Sequence, residues 1–123
     1  MGGNKKFIAI FRIACVVVFL MMLSTAGAQS TQVVRVKYRA TPVDVADPRF
    51  DYLDTSRSSF VNGAWYDESN MYMVIGLKGT YYHYCRMPLN AWDSFRSADS
   101  FGRHFNRFIK GRFDCRLGGV PDY

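Results

Sequence analysis

The pattern of apolar and polar positions predicts a small antiparallel sheet in the middle of the chain. Apolar and basic side chains alternate over residues 34–39, which is the period of a half-buried or edge strand. Three further strands are predicted at 58–66, 71–77 and 80–85. Short polar turns separate them, so they should form a meander. The middle one is apolar on both faces, which favours a central position in the sheet.

Two helices are predicted after the sheet. Pro88 suits the first turn of one helix, and Ser100 is expected to cap the other. Gly111 is well placed to end the second helix. Residues at helical spacing form an apolar face on each helix. These are Leu89, Trp92 and Phe95 on the first, and Phe101, Phe105, Phe108 and Ile109 on the second. The predicted fold class is therefore α+β, with a meander of three to four strands packed against two C-terminal helices.

The first 28 residues have the layout of a secretory signal peptide. A basic start precedes an unbroken apolar run over 13–23, and small residues at Ala26 and Ala28 suit cleavage between Ala28 and Gln29. Arg12 interrupts the apolar stretch, which disfavours an uncleaved membrane anchor. We therefore expect a periplasmic or secreted protein that contacts the membrane only if this segment is retained.

The remaining chain divides into three parts. Residues 29–57 are expected to hold the N-terminal strand and an irregular connection, because 41–57 contain two prolines and four aspartates. Residues 58–116 form the predicted sheet-and-helix domain, and 117–123 a loose glycine-containing tail. Three basic residues precede the cleavage point, so the net charge falls from +6 to +3. A charge of this size is ordinary for solubility and gives no strong signal for nucleic acid.

Two cysteines follow the predicted cleavage point, Cys85 and Cys115. Cysteines in a small exported domain usually pair, so a disulfide is expected. A redox pair would favour closer spacing. A zinc site that adds His83 and His104 to the two cysteines is an alternative, but the spacing differs from that of usual zinc ligands. No metal or cofactor is predicted.

The candidate binding residues are aromatic and basic. Tyr82 and Tyr84 share one face of the third predicted strand, where they could stack on bases or pack in the core. The basic candidates are Arg96, Arg103, Arg107, Lys110 and Arg112. Three of these recur at helical spacing opposite the apolar stripe, and they form either an anion-binding surface or a solvated helix face.

No catalytic pattern stands out in the sequence. Ser58-Ser59 has no obvious His and Asp partners, and there is no glycine-rich phosphate loop. An enzyme built on Cys85 and His104 is a further alternative, which would need a reactive thiol. The chain is therefore predicted not to be an enzyme.

Six short segments in order resemble the KTSC family over residues 58–113. They are Ser58-Ser59, Trp65-Tyr66-Asp67, residues 79–84, Met87-Pro88, residues 100–106 and residues 109–113. The central Tyr-x-Tyr motif of that family is similar to Tyr82-His83-Tyr84. The resemblance implies a small α+β fold. Because the family also occurs at the C-terminus of some lysyl-tRNA synthetases, it suggests RNA binding.

An exported single-domain bacterial branch of the family is more similar still. That branch carries the patterns seen here at residues 81–85 and 111–116. Trp65 stands where a cysteine is often found, so an upstream crosslink is not expected. The predicted function is a non-enzymatic binding module of the periplasm or envelope, for an envelope protein or an anionic ligand. The alternative is RNA binding through Tyr82, Tyr84 and the basic face of the last helix.

Overall fold

The computed structural model describes Gly27 and residues 30–123. The predicted signal peptide, with its cleavage site between Ala28 and Gln29, lies outside the described residues. Within these residues the strands are β1 Val33–Val34, β2 Val43–Asp44, β3 Phe50–Leu53, β4 Val61–Asp67, β5 Tyr72–Leu77 and β6 Thr80–Tyr84. Helices α1 Leu89–Arg96 and α2 Phe101–His104, the π-helical turn Phe105–Ile109 and the 3-10 turn Cys115–Leu117 follow. None of the described helices combines the length and apolar character needed to span a bilayer.

The predicted meander is confirmed as a four-stranded antiparallel sheet in the order β3-β4-β5-β6. The expectation that 41–57 lack regular structure is wrong, because this segment contains β2 and β3. β3 pairs along its length with β4, from Phe50 opposite Asp67 to Leu53 opposite Ala64. It is an edge strand with two exposed central residues, so its sequence lacks the apolar alternation that marks a half-buried strand.

A second small sheet covers one face of the larger one. β1 and β2 pair antiparallel, with Val34 opposite Val43. The predicted N-terminal strand is shorter than expected: Val36 makes a single parallel bridge to Tyr81, and the chain then turns at Tyr38, whose φ is +68°. Val34 and Val36 are buried as their alternation indicated, but Tyr38 is 82% exposed.

Two apolar clusters stabilise the fold, one on each face of the large sheet. Met73 and Ile75 of β5 contribute to the cluster under the helices. Tyr72 and Val74 of the same strand contribute to the cluster under β1 and β2. The predicted central position of β5 is thus confirmed. In the cluster under the helices, Trp92 of α1 stacks on Tyr66, with 5.0 Å between the ring centroids.

The helices begin where the sequence indicated. Pro88 precedes α1, the hydroxyl of Ser100 accepts from the backbone N–H of Arg103, and Gly111 has a φ of +77° just after the last turn. The predicted apolar faces are wrong at Leu89 of α1, which is 41% exposed, and at Phe108, which is 44% exposed. The backbone N–H of Lys110 donates to the carbonyl of Phe105, five residues earlier. This π turn adds a residue to the helical repeat and rotates Phe108 away from the core.

The C-terminal tail is anchored by its last residues. The phenol of Tyr123 donates to Asp67, and the carbonyl of Pro121 accepts from Arg39. The expectation of a loose tail is therefore wrong. Long-range contacts of the terminal tyrosine outweigh the local freedom that Gly118 and Gly119 provide.

Candidate binding groove

The predicted disulfide between Cys85 and Cys115 is present, with 4.9 Å between the two Cα atoms. It joins the residue after β6 to the start of the 3-10 turn. The backbone N–H of Cys85 also donates to the carbonyl of Phe113 at 2.8 Å. The segment 111–116 is thereby held against the edge of the sheet.

A groove of about 600 Å³ lies along the edge strand β6. Its floor is formed by Tyr82, His83 and Tyr84, and its two sides by the turn at Lys37 and Tyr38 and by the segment 111–116. The disulfide contributes to one side through Cys115. The N-terminal layer and the crosslinked segment therefore shape this groove together.

The backbone N–H and carbonyl of His83 point away from β5 and into the groove, on the open edge of β6. The carbonyl of Tyr81 accepts from the N–H of Lys37, and the N–H of Cys85 donates to Phe113, so both residues direct peptide groups away from β5. Alternate residues of an antiparallel strand direct these groups to the same side. The N–H and the carbonyl of His83 lie between these two bonds. Neither has a hydrogen-bond partner within residues 30–123.

Residues in the left-handed backbone region lie on both sides of the unpaired edge of β6 at His83. Tyr38 has a φ of +68° and Phe113 a φ of +56°. Such conformations are unfavourable for residues other than glycine and tend to occur at functional sites. Here they turn the chain away from β6 on either side of His83, so neither flanking segment pairs with that residue.

The groove has a positive side and an aromatic lining. The Nζ of Lys37 lies 5.1 Å from the ring centroid of Tyr38 and 5.7 Å from that of Tyr82. Arg112 is exposed. In the part of the chain that the structure describes, no carboxylate lies within ion-pair distance of Lys37 or Arg112. These two cations are therefore available to a ligand.

The other charged groups in the groove compensate one another. Arg116 pairs with Asp114 at 2.7 Å, and this hydrogen bonding lowers the pKa of the Asp114 carboxyl.

His83 is hydrogen-bonded through its side chain, with 2.9 Å between its Nδ1 and the hydroxyl oxygen of Tyr72. Burial, together with the charge of Arg39, lowers the pKa of His83. Both effects favour the neutral imidazole.

The basic residues predicted as one surface are distributed over three places. Arg103, Arg107 and Lys110 are exposed on the helix side. Arg96 contacts two carboxylates, with its Nε 3.0 Å from Asp93 and its Nη1 3.7 Å from Asp51. Arg112 lies in the groove. The structure thus brings only one of the five predicted cations next to the candidate tyrosines.

The two tyrosines of the Tyr-x-Tyr motif are half-buried on the helix-covered face of the sheet. The ring of Tyr84 meets Phe105 edge-on at 5.7 Å. Its burial raises the pKa of its phenol to about 12. Tyr82 packs against the same cluster. Both also line the groove, so they combine a packing role with a place at the candidate site.

Sequence reasoning missed Lys37, Tyr38 and Arg116 as members of the site. The alternation over 34–39 did place Lys37 on the polar side of a strand. Its nearness to Tyr82 depends on the parallel bridge between Val36 and Tyr81. No local pattern encodes a contact between segments so far apart in the chain.

The four residues considered for zinc do not converge. Cys85 and Cys115 are joined to each other, and His83 bonds to Tyr72. The ring of His104 lies against Phe95 and Phe108 on the helix side. Across the described residues, no cluster of three or more His, Cys, Asp or Glu side chains is arranged to hold a metal ion. The disulfide also removes the thiol that an enzyme built on Cys85 and His104 would need.

The fold defines a small, disulfide-linked α+β domain, and comparison with known proteins identifies its family. The KTSC domain model matches residues 57–113. A KTSC domain protein from Yersinia pestis, known from its crystal structure, is 33% identical in sequence to this chain. The alignment covers 53% of this chain and 92% of that one, with a TM-score of 0.49. This chain belongs to the KTSC domain family. Comparison with the curated proteins finds no match.

Part of the groove lies outside the family match. Lys37, Tyr38, Cys115 and Arg116 fall before or after residues 57–113, whereas Tyr82, Tyr84 and Arg112 fall within that range. The common domain therefore contributes the edge strand, and the flanking segments of this chain build the sides.

Proposed function

We propose that this protein is an exported, non-enzymatic binding module of the bacterial periplasm or envelope, and that its groove beside β6 binds an anionic partner. One observation carries the proposal. Lys37 and Arg112, neither paired with a described carboxylate, flank an open strand edge lined with tyrosines. Unpaired cations beside accessible backbone groups are suited to recognition of anions through charge-assisted hydrogen bonds.

Export is supported by two independent features. The N-terminal sequence has the order of a signal peptide. The disulfide between Cys85 and Cys115 suits an oxidising compartment, since cytosolic proteins seldom keep such bonds. The proposal assigns the groove a binding role and no reaction. Its imidazole, His83, is bonded to Tyr72, its carboxylate, Asp114, is paired with Arg116, and its cysteine lies in a closed disulfide.

RNA binding is the alternative. It would use Tyr82 and Tyr84 as stacking platforms and the exposed Arg103, Arg107 and Lys110 as phosphate contacts. The helices pack over the face that carries the two tyrosines, and Phe105 already contacts the ring of Tyr84. Base stacking would have to compete with this packing, which favours the groove as the principal site.

Site-specific crosslinking in living bacteria tests the proposal. A photoreactive p-benzoylphenylalanine is placed at Tyr38, which is 82% exposed in the groove, or at Tyr52, which is 57% exposed on the opposite edge strand. We expect a discrete envelope adduct from Tyr38 and not from Tyr52. Equal adducts from both positions, or none from either, would contradict the proposed site.

The compartment is tested on the same protein. Intact mass is measured on material from the envelope fraction before and after reduction and alkylation. We expect loss of residues 1–28 and alkylation of Cys85 and Cys115 only after reduction. A full-length chain whose cysteines, including Cys15, are alkylated without reduction would contradict export and make RNA binding the better candidate.

A further inference from the structure

The open edge of β6 is short, which limits what it can bind. Tyr81 and Cys85 are already paired on the outward side, by Lys37 and Phe113 respectively. The span between them is about 13 Å, at about 3.3 Å per residue. Between the Tyr81 carbonyl and the Cys85 N–H, the outward groups without a hydrogen-bond partner among residues 30–123 are the N–H and the carbonyl of His83. A long added strand does not fit, but a segment that passes through the groove can exchange hydrogen bonds with this one residue.

The exposed N–H and carbonyl of His83 indicate what kind of partner the groove can bind. One residue of an extended peptide offers a donor and an acceptor at the spacing of the His83 carbonyl and N–H. The same strand edge already accepts one backbone hydrogen bond, since the N–H of Lys37 donates to the carbonyl of Tyr81 beside the parallel bridge of Val36 to Tyr81. A peptide in the groove would continue along the path that the N-terminal segment leaves at Tyr38.

The charge of the groove selects the sequence of that peptide. Lys37 and Arg112 lack a described carboxylate partner, whereas Asp114 is already paired with Arg116. We propose that the groove binds an acidic peptide segment in extended conformation, which pairs its backbone with His83 and places carboxylates at Lys37 and Arg112. This inference rests on the proposed function and names the partner class.

Calorimetry with a defined probe tests the inference, using protein recovered from the periplasm. The probe is an acetylated and amidated octapeptide of alternating glutamate and threonine. Its controls are the same peptide N-methylated on the backbone and a single-stranded RNA octamer. We expect saturable binding of the parent peptide and at least about tenfold weaker binding of the methylated form, because methylation removes the backbone donors. Amide exchange should show new protection at His83.

Matched variants separate the backbone contact from the imidazole. His83→Pro removes the outward N–H, and proline is tolerated on a strand edge where that group faces outward. His83→Ala removes the imidazole but keeps the N–H. We expect binding to be lost in the proline variant and retained within about threefold in the alanine variant. If the proline variant does not fold, the methylated peptide makes the same test on the unaltered protein.

Charge reversal locates the anion contacts. The double variant Lys37→Glu with Arg112→Glu should weaken peptide binding at least about tenfold. Arg103→Glu with Arg107→Glu, equally exposed on the helix side, should leave it unchanged. Reversed effects of the two pairs would overturn the assignment of the groove.

The outcomes distinguish this inference from the proposed function. Equal binding of the methylated and parent peptides, with no protection at His83, overturns backbone pairing but leaves an anion-binding groove. No peptide binding at millimolar concentration overturns the inference, while the Tyr38 crosslink still decides the proposed function. RNA binding that depends on Arg103 and Arg107 and falls steeply with salt overturns both.

Discussion

The hydroxyl of Tyr123 donates a hydrogen bond of 2.7 Å to Oδ2 of Asp67, joining the last residue of the chain to the end of β4. Asp67 is only 1% exposed. The tyrosine ring lies 5.0 Å from that of Phe50, and the guanidinium of Arg49 lies 4.6 Å from its centroid. The C-terminal residue is thus part of the packing around β3 and β4.

Removing this hydroxyl should destabilise the protein. Tyr123→Phe keeps the ring but removes one of the two donors to Oδ2 of a buried carboxylate, leaving the amide of Asn70, so the free energy of unfolding should fall by about 1–3 kcal/mol. Urea unfolding followed by fluorescence measures the change. Tyr38→Phe is the matched control, because the Tyr38 hydroxyl has no described partner and should give no change. Equal effects of the two variants would show that the bond to Asp67 contributes nothing.

Stability should also depend on pH through Asp67. Burial alone would raise the pKa of this carboxyl, but hydrogen bonds from Asn70 and Tyr123 together outweigh it and hold the pKa below 3.8. The folded protein therefore binds fewer protons than the unfolded chain in this range. The resulting stabilisation is present above about pH 4 and is lost as the pH falls through the folded-state pKa.

Other carboxylates titrate in the same range, so the test compares two proteins. The free energy of unfolding of the unaltered protein and of Tyr123→Phe is measured from about pH 6 down to about pH 3. The difference between them should shrink as Asp67 becomes protonated. A difference that stays constant over the whole range would mean that the phenol does not act through the ionised carboxylate.

Breaking the disulfide should remove a large part of the stability. Cys85 and Cys115 are 30 positions apart, and the loop-entropy model gives about 3–4 kcal/mol for such a loop. The double variant Cys85→Ala with Cys115→Ala should lower the free energy of unfolding by about this amount. Chemical reduction of the unaltered protein should have a similar effect. An unchanged unfolding midpoint in both cases would contradict a stabilising crosslink.

A methyl group at Gly63 should be far more damaging than one at Gly79. Both glycines have a positive φ, +89° and +85°. A Cβ at Gly63 would lie 2.6 Å from the ring of Trp65, whereas the space at Gly79 is open. Gly79→Ala should therefore lower the free energy of unfolding by about 1–2 kcal/mol from backbone strain alone.

Gly63→Ala adds the displacement of the tryptophan ring, which costs about a further 1–3 kcal/mol. Urea unfolding measures both variants, and tryptophan fluorescence of the folded state reports whether Trp65 moves. Equal destabilisation of the two variants, with an unchanged spectrum, would show that β4 can absorb the methyl group where its register with β5 shifts, between Val61 and Ala64.

Local chemistry predicted the parts of the fold that depend on neighbouring residues. A run that is apolar on both faces marked β5, and a short polar turn separated it from β6. Ser100 and Gly111 marked the helix start and end. These signals are readable in sequence because caps and tight turns are made by residues within a few positions of one another.

The sequence on its own also determined the KTSC resemblance, the signal-peptide pattern and the expectation that Cys85 and Cys115 pair. Tertiary structure decided the pairing of β3, the exposure of Phe108 and the anchoring of Tyr123. It also decided that the N–H and the carbonyl of His83 on β6 remain unpaired among the described residues. These features depend on contacts between distant segments, since the groove at His83 exists only where Lys37 and Phe113 reach the same strand edge from opposite ends of the domain.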